Sequence, residues 1–351
     1  MTPHPLDPLS ADEIRQAAAI LRRDRDVTDR WRFASIELKE PPKQGGAEDR
    51  RATVICWNRD DGHVFKSLVN VSQDAVETWD HVPDGQPNMT VDEFEECNEI
   101  LRRDPRVIEA LARRGITDME HVLIDTWAYG AHLVPEQHRG GRVGWADLWY
   151  RKEPFASPYA NPVTGLHLVI DLNRMELLEI EDTHHVEEPE TMGEYVPRLV
   201  PGQRLRDDIK ALHIHQPDGP SFTLDGNAVE WQKWSLRVGF NPREGMVLHT
   251  VAYDGRSVAH RLSFAEMVVP YRDPTTDHYR RTAFDIGEWG LGFMTDSLEL
   301  GCDCLGEIRY LDATVHDTRG EPQTIVNAIC IHEEDDGVLW KHVDAEAGAE
   351  T

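Results

Sequence analysis

The chain has 351 residues, and 64 Asp and Glu against 37 Lys and Arg give it a formal net charge of −27. An acidic excess of this size argues against a nucleic acid or an anionic membrane surface as a partner, because both bind basic surfaces. A hydrophobic fraction of 40% with 10 Trp is enough for packed cores and excludes a wholly disordered chain. The length predicts two or three domains.

The expected location is the cytoplasm. No apolar run approaches the roughly 20 residues that a membrane-spanning helix needs. The N-terminal text MTPHPLDPLS lacks the basic and apolar regions of a secretory signal. The 5 cysteines are too few for a disulfide scaffold. We therefore expect a soluble globular protein that does not bind membranes.

Two similar segments each predict a capped helix. Ser10-Ala-Asp-Glu13 and Thr90-Val-Asp-Glu93 have the spacing of a capping box, in which a hydroxyl and a Glu three residues later satisfy exposed backbone donors. Apolar residues then recur at helical spacing, and both segments contain the sequence Ile-Leu-Arg-Arg-Asp. The two predicted helices therefore begin at equivalent points of a repeat.

Each predicted helix precedes text typical of antiparallel strands, with a run such as 31–38 after the first and 143–150 after the second. A helix followed by a meander, found twice, favours two duplicated α+β domains at 1–86 and 87–195. The alternative is chance similarity between two amphipathic helices. After about residue 200 helical periodicity disappears, and short β-rich runs such as Val229–Phe240 indicate a sandwich or barrel over 204–351.

Few residue clusters point to chemistry on their own. Cys302-Asp-Cys304, with Cys330 further on, permits either a metal site or a disulfide between one of the pair and Cys330. His213-Ile-His215 has the alternation of strand-borne copper ligands, but such a pair is weak evidence among 17 His. The acidic text His332-Glu-Glu-Asp335 is typical of a solvated loop.

The segment Phe284-Asp-Ile-Gly-Glu288-Trp-Gly-Leu-Gly292 is the strongest candidate. It places two carboxylates among aromatic and apolar residues, in a glycine-rich stretch that can approach a ligand closely. A carboxylate in an apolar site has a raised pKa and can act as a general base. The alternative interpretation is an ordinary turn.

At these residues the sequence resembles the copper-containing amine oxidases, the topaquinone enzymes. The resemblance rests on blocks in matching order, which are Gln216-Pro-Asp-Gly-Pro-Ser-Phe222, Trp231-Gln-Lys-Trp234, Glu266-Met-Val-Val-Pro-Tyr271, Phe284-Asp-Ile-Gly-Glu288, Ser297–Gly306, Ile331–Asp335 and Trp340-Lys-His-Val-Asp344. It implies that 1–86 and 87–195 are the two small peripheral domains of that family, similar to its N2 and N3 domains. It also implies that 204–351 is the first part of the large antiparallel β-sandwich that carries catalysis.

The resemblance implies an activity and roles for individual residues. The activity converts a primary amine, dioxygen and water to an aldehyde, ammonia and hydrogen peroxide. Asp285 stands at the position of the catalytic base that removes the α-proton of the substrate, and Tyr271 at that of the tyrosine that positions the quinone. Ala283 occupies the place of an aromatic gate in many relatives, which suggests a roomier channel mouth. Cys304 and Cys330 match the family's disulfide pair.

The important departure of the sequence from the family pattern is an absence. The quinone is made from a tyrosine that follows Asn, and no Tyr of this chain does so, the last being Tyr310. His213 and His215 precede the first block, so by order they are not the family's copper-binding pair. This chain is therefore expected to hold neither copper nor topaquinone by itself, and to be active only with a separate C-terminal chain, as a homodimer or heterotetramer. The alternatives are a truncated, inactive remnant and an amine-binding module without turnover.

Overall fold

The computed structural model describes residues 3–43, 49–130, 133–186, 193–264, 285–337, 343–344, 346 and 349–350. The helices are α1 (Ala11–Arg25), α2 (Val91–Leu101), α3 (Pro105–Ala112) and the single turn α4 (Asp285–Glu288). No helix in these ranges is both long and apolar enough to cross a membrane.

The first domain packs α1 on a four-stranded antiparallel sheet of order β1-β2-β3-β4. The strands are β1 (Trp31–Leu38), β2 (Arg51–Asn58), β3 (Val64–Asn70) and β4 (Ala75–Val82). The apolar stripe of α1 covers one face of the sheet, with a fully buried core that includes Ile14, Ala17, Leu21, Phe33, Ile36 and Val54. Strand β1 lies at an edge of this sheet, and its register shifts between Phe33 and Ser35.

The second domain repeats this arrangement with one more helix. Helices α2 and α3 cover the sheet β5-β6-β7-β8, whose strands are Val122–Ala128, Val143–Tyr150, Leu166–Asp171 and Glu176–Asp182. Its core includes Cys97, Leu101, Leu111, Ile124, Leu148, Leu168 and Ile170. The sequence did not predict α3, which begins at Pro105, directly after its N-cap residue Asp104.

The third region is β-rich. A five-stranded antiparallel sheet of order β13-β12-β11-β10-β9 consists of Phe222–Asp225, Ala228–Trp231, Trp234–Asn241, Gly245–Tyr253 and Arg256–Ser263, named β9 to β13 in chain order. The hairpin of β14 (Arg309–His316) and β15 (Pro322–Ile331) packs against it, and the shared core includes Val238, Phe240, Val315 and Ile329. The short pair β16 (Val343–Asp344) and β17 (Ala349–Glu350) follows. The predicted α+β class, with two helix-and-sheet domains before a β-rich region, is confirmed.

One predicted strand is wrong. The run Val229–Phe240 is a hairpin, because β10 and β11 pair with each other through Trp231 and Trp234. The turn uses Gln232 at a φ of 55°, a left-handed conformation that usually selects Gly or Asn. Neither Gly nor Asn stands at Gln232 or Lys233, so the sequence shows no turn signal at that point.

In each of the two capping boxes the glutamate also forms an ion pair with an arginine. The Glu13 carboxylate accepts from the Ser10 N–H at 2.8 Å and binds Arg50 at 2.7 and 2.9 Å. The Glu93 carboxylate accepts from the Thr90 N–H at 2.9 Å and binds Arg142 at 2.7 and 3.2 Å. Each arginine also donates to backbone carbonyls of the segment before its helix, namely residues 4–8 and 87–88. This recurrence favours duplication over chance similarity.

We predict that Glu93→Gln destabilises the second domain by about 3 kcal/mol, since removing one partner leaves the other charge buried and uncompensated. The side chains of Glu93 and Arg142 are only 4% and 3% exposed. Chemical denaturation measures the change. The matched control is Glu95→Gln, an exposed position on the same helix, where we expect a change within about 0.5 kcal/mol. Equal effects of the two substitutions would contradict a structural role for the pair.

Candidate functional site

The structure describes only part of the predicted catalytic group. Tyr271 and Ala283 lie outside the described residues, and Asp285 is described only as the first backbone position of α4. The residues that follow are described, and they show where the segment carrying Asp285 lies.

That segment packs on the turn between β11 and β12. The N–H groups of Leu291 and Phe293 donate to the carbonyls of Arg243 and Pro242, both at 2.9 Å. A side chain at Gly292 would place its Cβ 2.1 Å from the Asn241 carbonyl oxygen. Glycine is therefore required at this position for contact with protein backbone, whereas the sequence suggested close approach to a ligand.

Glu288, at the end of α4, is buried, with 8% of its surface exposed. Burial raises the pKa of its carboxyl above the usual value, and the backbone N–H of Ala128 and the guanidinium of Arg142 oppose this effect. A carboxyl of this kind can hold a proton at a pH where an exposed Glu cannot. The predicted raised-pKa carboxylate is thus present in this segment at Glu288, while the side chain of Asp285 is outside the described part.

Aromatic rings fix this segment against the second domain. Trp289 stacks on Trp127 with ring centroids 6.4 Å apart and planes 20° apart, and meets Phe94 edge-on at 5.6 Å. Trp127 belongs to β5 and Phe94 to α2. The segment that begins with Asp285 therefore lies where the β-rich region contacts the second domain.

Glu333 joins three of the blocks on which the sequence resemblance rests. Its carboxylate accepts from the Ser221 backbone N–H at 2.7 Å, the Gln216 side-chain amide at 2.6 Å and the Trp231 indole N–H at 2.7 Å. These donors hold the pKa of Glu333 at about 2, so the carboxylate is ionised under all ordinary conditions. The sequence had suggested a solvated loop here. Its signal for the contact is that Gln216, Ser221 and Trp231 also belong to the blocks on which the family resemblance rests.

The structure brings Cys304 and Cys330 together as free thiols. Burial, followed by the hydrogen bond with Cys304, raises the pKa of the Cys330 thiol to about 11. The Tyr310 hydroxyl lies 3.8 Å from the Cys304 sulfur, and Cys302 is exposed. The disulfide between Cys304 and Cys330 stays a prediction, and the contact of the two side chains is consistent with it.

The described residues do not fit a copper ion. Across those ranges no three His, Cys, Asp or Glu side chains are grouped so that they could hold a metal. His213 and His215 are exposed with their rings stacked at 5.9 Å, and they gain no third ligand there. In the sequence no Tyr follows Asn.

Comparison with known proteins identifies related families over most of the chain. Residues 10–79 match the AGAO-like N2 domain, residues 92–195 the copper amine oxidase N3 domain, and residues 223–351 the copper amine oxidase enzyme domain.

Individual relatives agree with these matches. Over 99% of its length the chain is 43% identical to a primary amine oxidase of Arthrobacter sp. (strain P1) and 37% identical to a histamine oxidase of Arthrobacter globiformis. It covers 55% and 52% of those proteins, so it spans about half the length of the curated relatives it matches. The crystal structure of a copper-containing benzylamine oxidase from Hansenula polymorpha superposes with a TM-score of 0.87 at 27% identity, over 99% of this chain and 58% of that one.

We predict that Glu333→Gln loosens the contact among the three blocks, because a neutral amide offers one oxygen where the carboxylate offers two. Faster hydrogen exchange at the Ser221 amide and at the Trp231 indole would report this. In the unsubstituted chain the same protection is present above the usual Glu pKa of 4.5 and is lost as the pH falls through about 2. Glu334→Gln, next to it and largely exposed, is the control and leaves both exchange rates unchanged. A similar response in both variants would remove the special role of Glu333.

Proposed function

The chain belongs to the copper amine oxidase family, and from this we propose that it is the N-terminal part of a copper- and topaquinone-dependent primary amine oxidase. The proposed reaction converts a primary amine, dioxygen and water to an aldehyde, ammonia and hydrogen peroxide. Support comes from the match of residues 223–351 to the enzyme domain and from relatives named for amine oxidation. The observation that carries the proposal is the block Phe284-Asp-Ile-Gly-Glu288 within that matched domain.

In this proposal Asp285 is the general base. Removal of a proton from the carbon next to nitrogen needs a carboxylate held in a fixed position and shielded from water. The segment after Asp285 has the required rigidity, because its backbone bonds to the β11–β12 turn and Trp289 lies between rings of the second domain. Tyr271 has the role of restraining the quinone, and Ala283 leaves the channel mouth wide.

The copper ligands and the quinone tyrosine are proposed to come from a separate C-terminal chain. Two observations support this proposal: no Tyr of the sequence follows Asn, and the described side chains form no group of three His, Cys, Asp or Glu that could hold a metal. With two kinds of chain the functional particle is then a heterotetramer, and a homodimer is the alternative assembly. Apolar side chains exposed along and just beyond β13, among them Val258, Leu262 and Phe264, are consistent with further protein covering that edge. Cytoplasmic location stays a prediction.

Asp285→Asn in the assembled oxidase tests the base assignment. An amide cannot take the proton, so we expect the turnover number to fall by about 10²-fold or more. Quinone formation, followed by its redox-cycling stain, remains close to normal, because that process does not need the base. Glu299→Gln, an exposed carboxylate of the same region, serves as the control with unchanged turnover. If Asp285→Asn retained full turnover, the base would have to be another residue.

The requirement for a second chain is tested separately. We predict that purification from the native source under mild conditions yields this chain unstained by quinone redox cycling on a denaturing gel, together with a second, stained polypeptide. The unstained band reflects the lack of a tyrosine after Asn in this chain. A lone unstained band without oxidase activity would refute the two-chain enzyme.

A further inference from the structure

The hairpin of β14 and β15 pairs with the free edge of the first domain. The Phe33 N–H donates to the Thr318 carbonyl at 2.8 Å, and the Ile36 N–H donates to Nε2 of His316 at 2.9 Å. Both donors belong to β1, the edge strand of its sheet. At the contact between the first domain and the β-rich region, an imidazole nitrogen therefore accepts the hydrogen bond that a neighbouring strand would accept with a backbone carbonyl.

The hydrogen bonds of His316 require the neutral ring. Nδ1 lies 2.9 Å from the Asp317 carbonyl oxygen, which can only accept, so Nδ1 carries the proton. Nε2 faces a backbone N–H, which can only donate, so it must be unprotonated. A second proton on the ring would place two N–H groups against each other, in a position where His316 is only 3% exposed.

His316 also contacts the segment that begins with Asp285. Its ring meets Phe293 edge-on, with centroids 5.4 Å apart and planes 81° apart. Phe293 in turn is held by the Pro242 carbonyl at the turn between β11 and β12. A change at His316 therefore acts on two neighbours, the edge of the first domain and the segment of the candidate site.

We propose that His316 is an acid-responsive latch, which holds the hairpin on β1 while neutral and releases that edge of the first domain when protonated. Release exposes the amides of Phe33 and Ile36 and frees Phe293 to move. The consequence for Asp285 rests on the proposed function, whereas the latch itself is a property of the described fold.

The direction of the pH response follows from burial. Burial lowers the pKa of His316 from its usual 6.5, and the carbonyl and carboxylate of Asp317 and the carboxylate of Asp92 oppose this effect. Docking is therefore at full strength above about pH 6.5 and weakens as the pH falls through the pKa of the docked state. Between pH 6.5 and the pKa of the docked state, each unit by which the pH falls raises the ratio of released to docked chain about tenfold. Other charged groups line the same cleft, namely Glu37, Lys66, Glu95 and Arg243.

Amide hydrogen exchange of the full chain at about pH 7.5 and about pH 5.5, corrected for the intrinsic pH dependence of exchange, tests the latch. We expect protection of Phe33 and Ile36 to fall about tenfold at the lower pH, while that of Val54 in the centre of the same sheet stays constant. Equal loss at Val54 would mean that the whole domain unfolds and would overturn the proposal.

Two variants assign the response to the ring. His316→Gln keeps an acceptor near Nε2 but has no ionisation, so protection at Ile36 becomes the same at both pH values. His213→Gln, at an exposed position before β9, keeps the response of the unsubstituted chain. A response that persists in His316→Gln would assign it to another group, such as the buried His249 beside Glu40, and the proposal would fail.

Direct titration covers the case in which His316→Gln does not fold. In the unsubstituted chain the ring proton resonances of His316 must titrate below the usual histidine pKa of 6.5. Titration at or above pH 6.5 would show that the docked state does not favour the neutral ring.

Discussion

A strand at the edge of a sheet has backbone donors that need partners, and in this protein β1 obtains them from the far end of the chain. Its Ile36 amide pairs with a side chain 280 residues away. The tip of the same hairpin holds α2 as well, because the Asp92 carboxylate accepts from the N–H and hydroxyl of Thr318 at 2.9 and 2.5 Å. One hairpin therefore sets the relative positions of both small domains and of the β-rich region on which the candidate site lies.

The tip of the hairpin fits this position because the backbone N–H groups there are bonded within the turn itself. The Asp317 carboxylate accepts from the N–H groups of Arg319 and Glu321, both at 2.8 Å. Gly320, at a φ of 77°, lies against the first domain so closely that a Cβ there would be 2.9 Å from the Cβ of Ala18. A side chain at this position would push the hairpin away from α1.

The parts of the fold that depend on local sequence could be predicted. Capping boxes at Ser10 and Thr90 and the alternating strands after them rest on spacings of a few residues, and the structure has them where expected. The turn at Gln232 could not be predicted, because the chain imposes a left-handed conformation on a residue that does not favour it. The Glu333 contacts, which span 102 to 117 residues, leave no periodic trace in the sequence. The composition of its segment had already marked Asp285 and Glu288 as candidate general bases, and the family resemblance chose Asp285 between them. Tyr271 and Ala283 came from the resemblance alone, since a single side chain carries no pattern of its own.

The distance between β1 and its partner has a consequence during synthesis. At roughly 5–20 residues per second, the ribosome needs about 15–60 s to add the 280 residues that separate Ile36 from His316. For that time the edge of the first domain is a free template for pairing with another nascent chain. The irregular register between Phe33 and Ser35 makes the edge a poor template, because it disrupts the regular ladder that a second strand would need. The irregular register of β1 thus protects the chain before the hairpin exists.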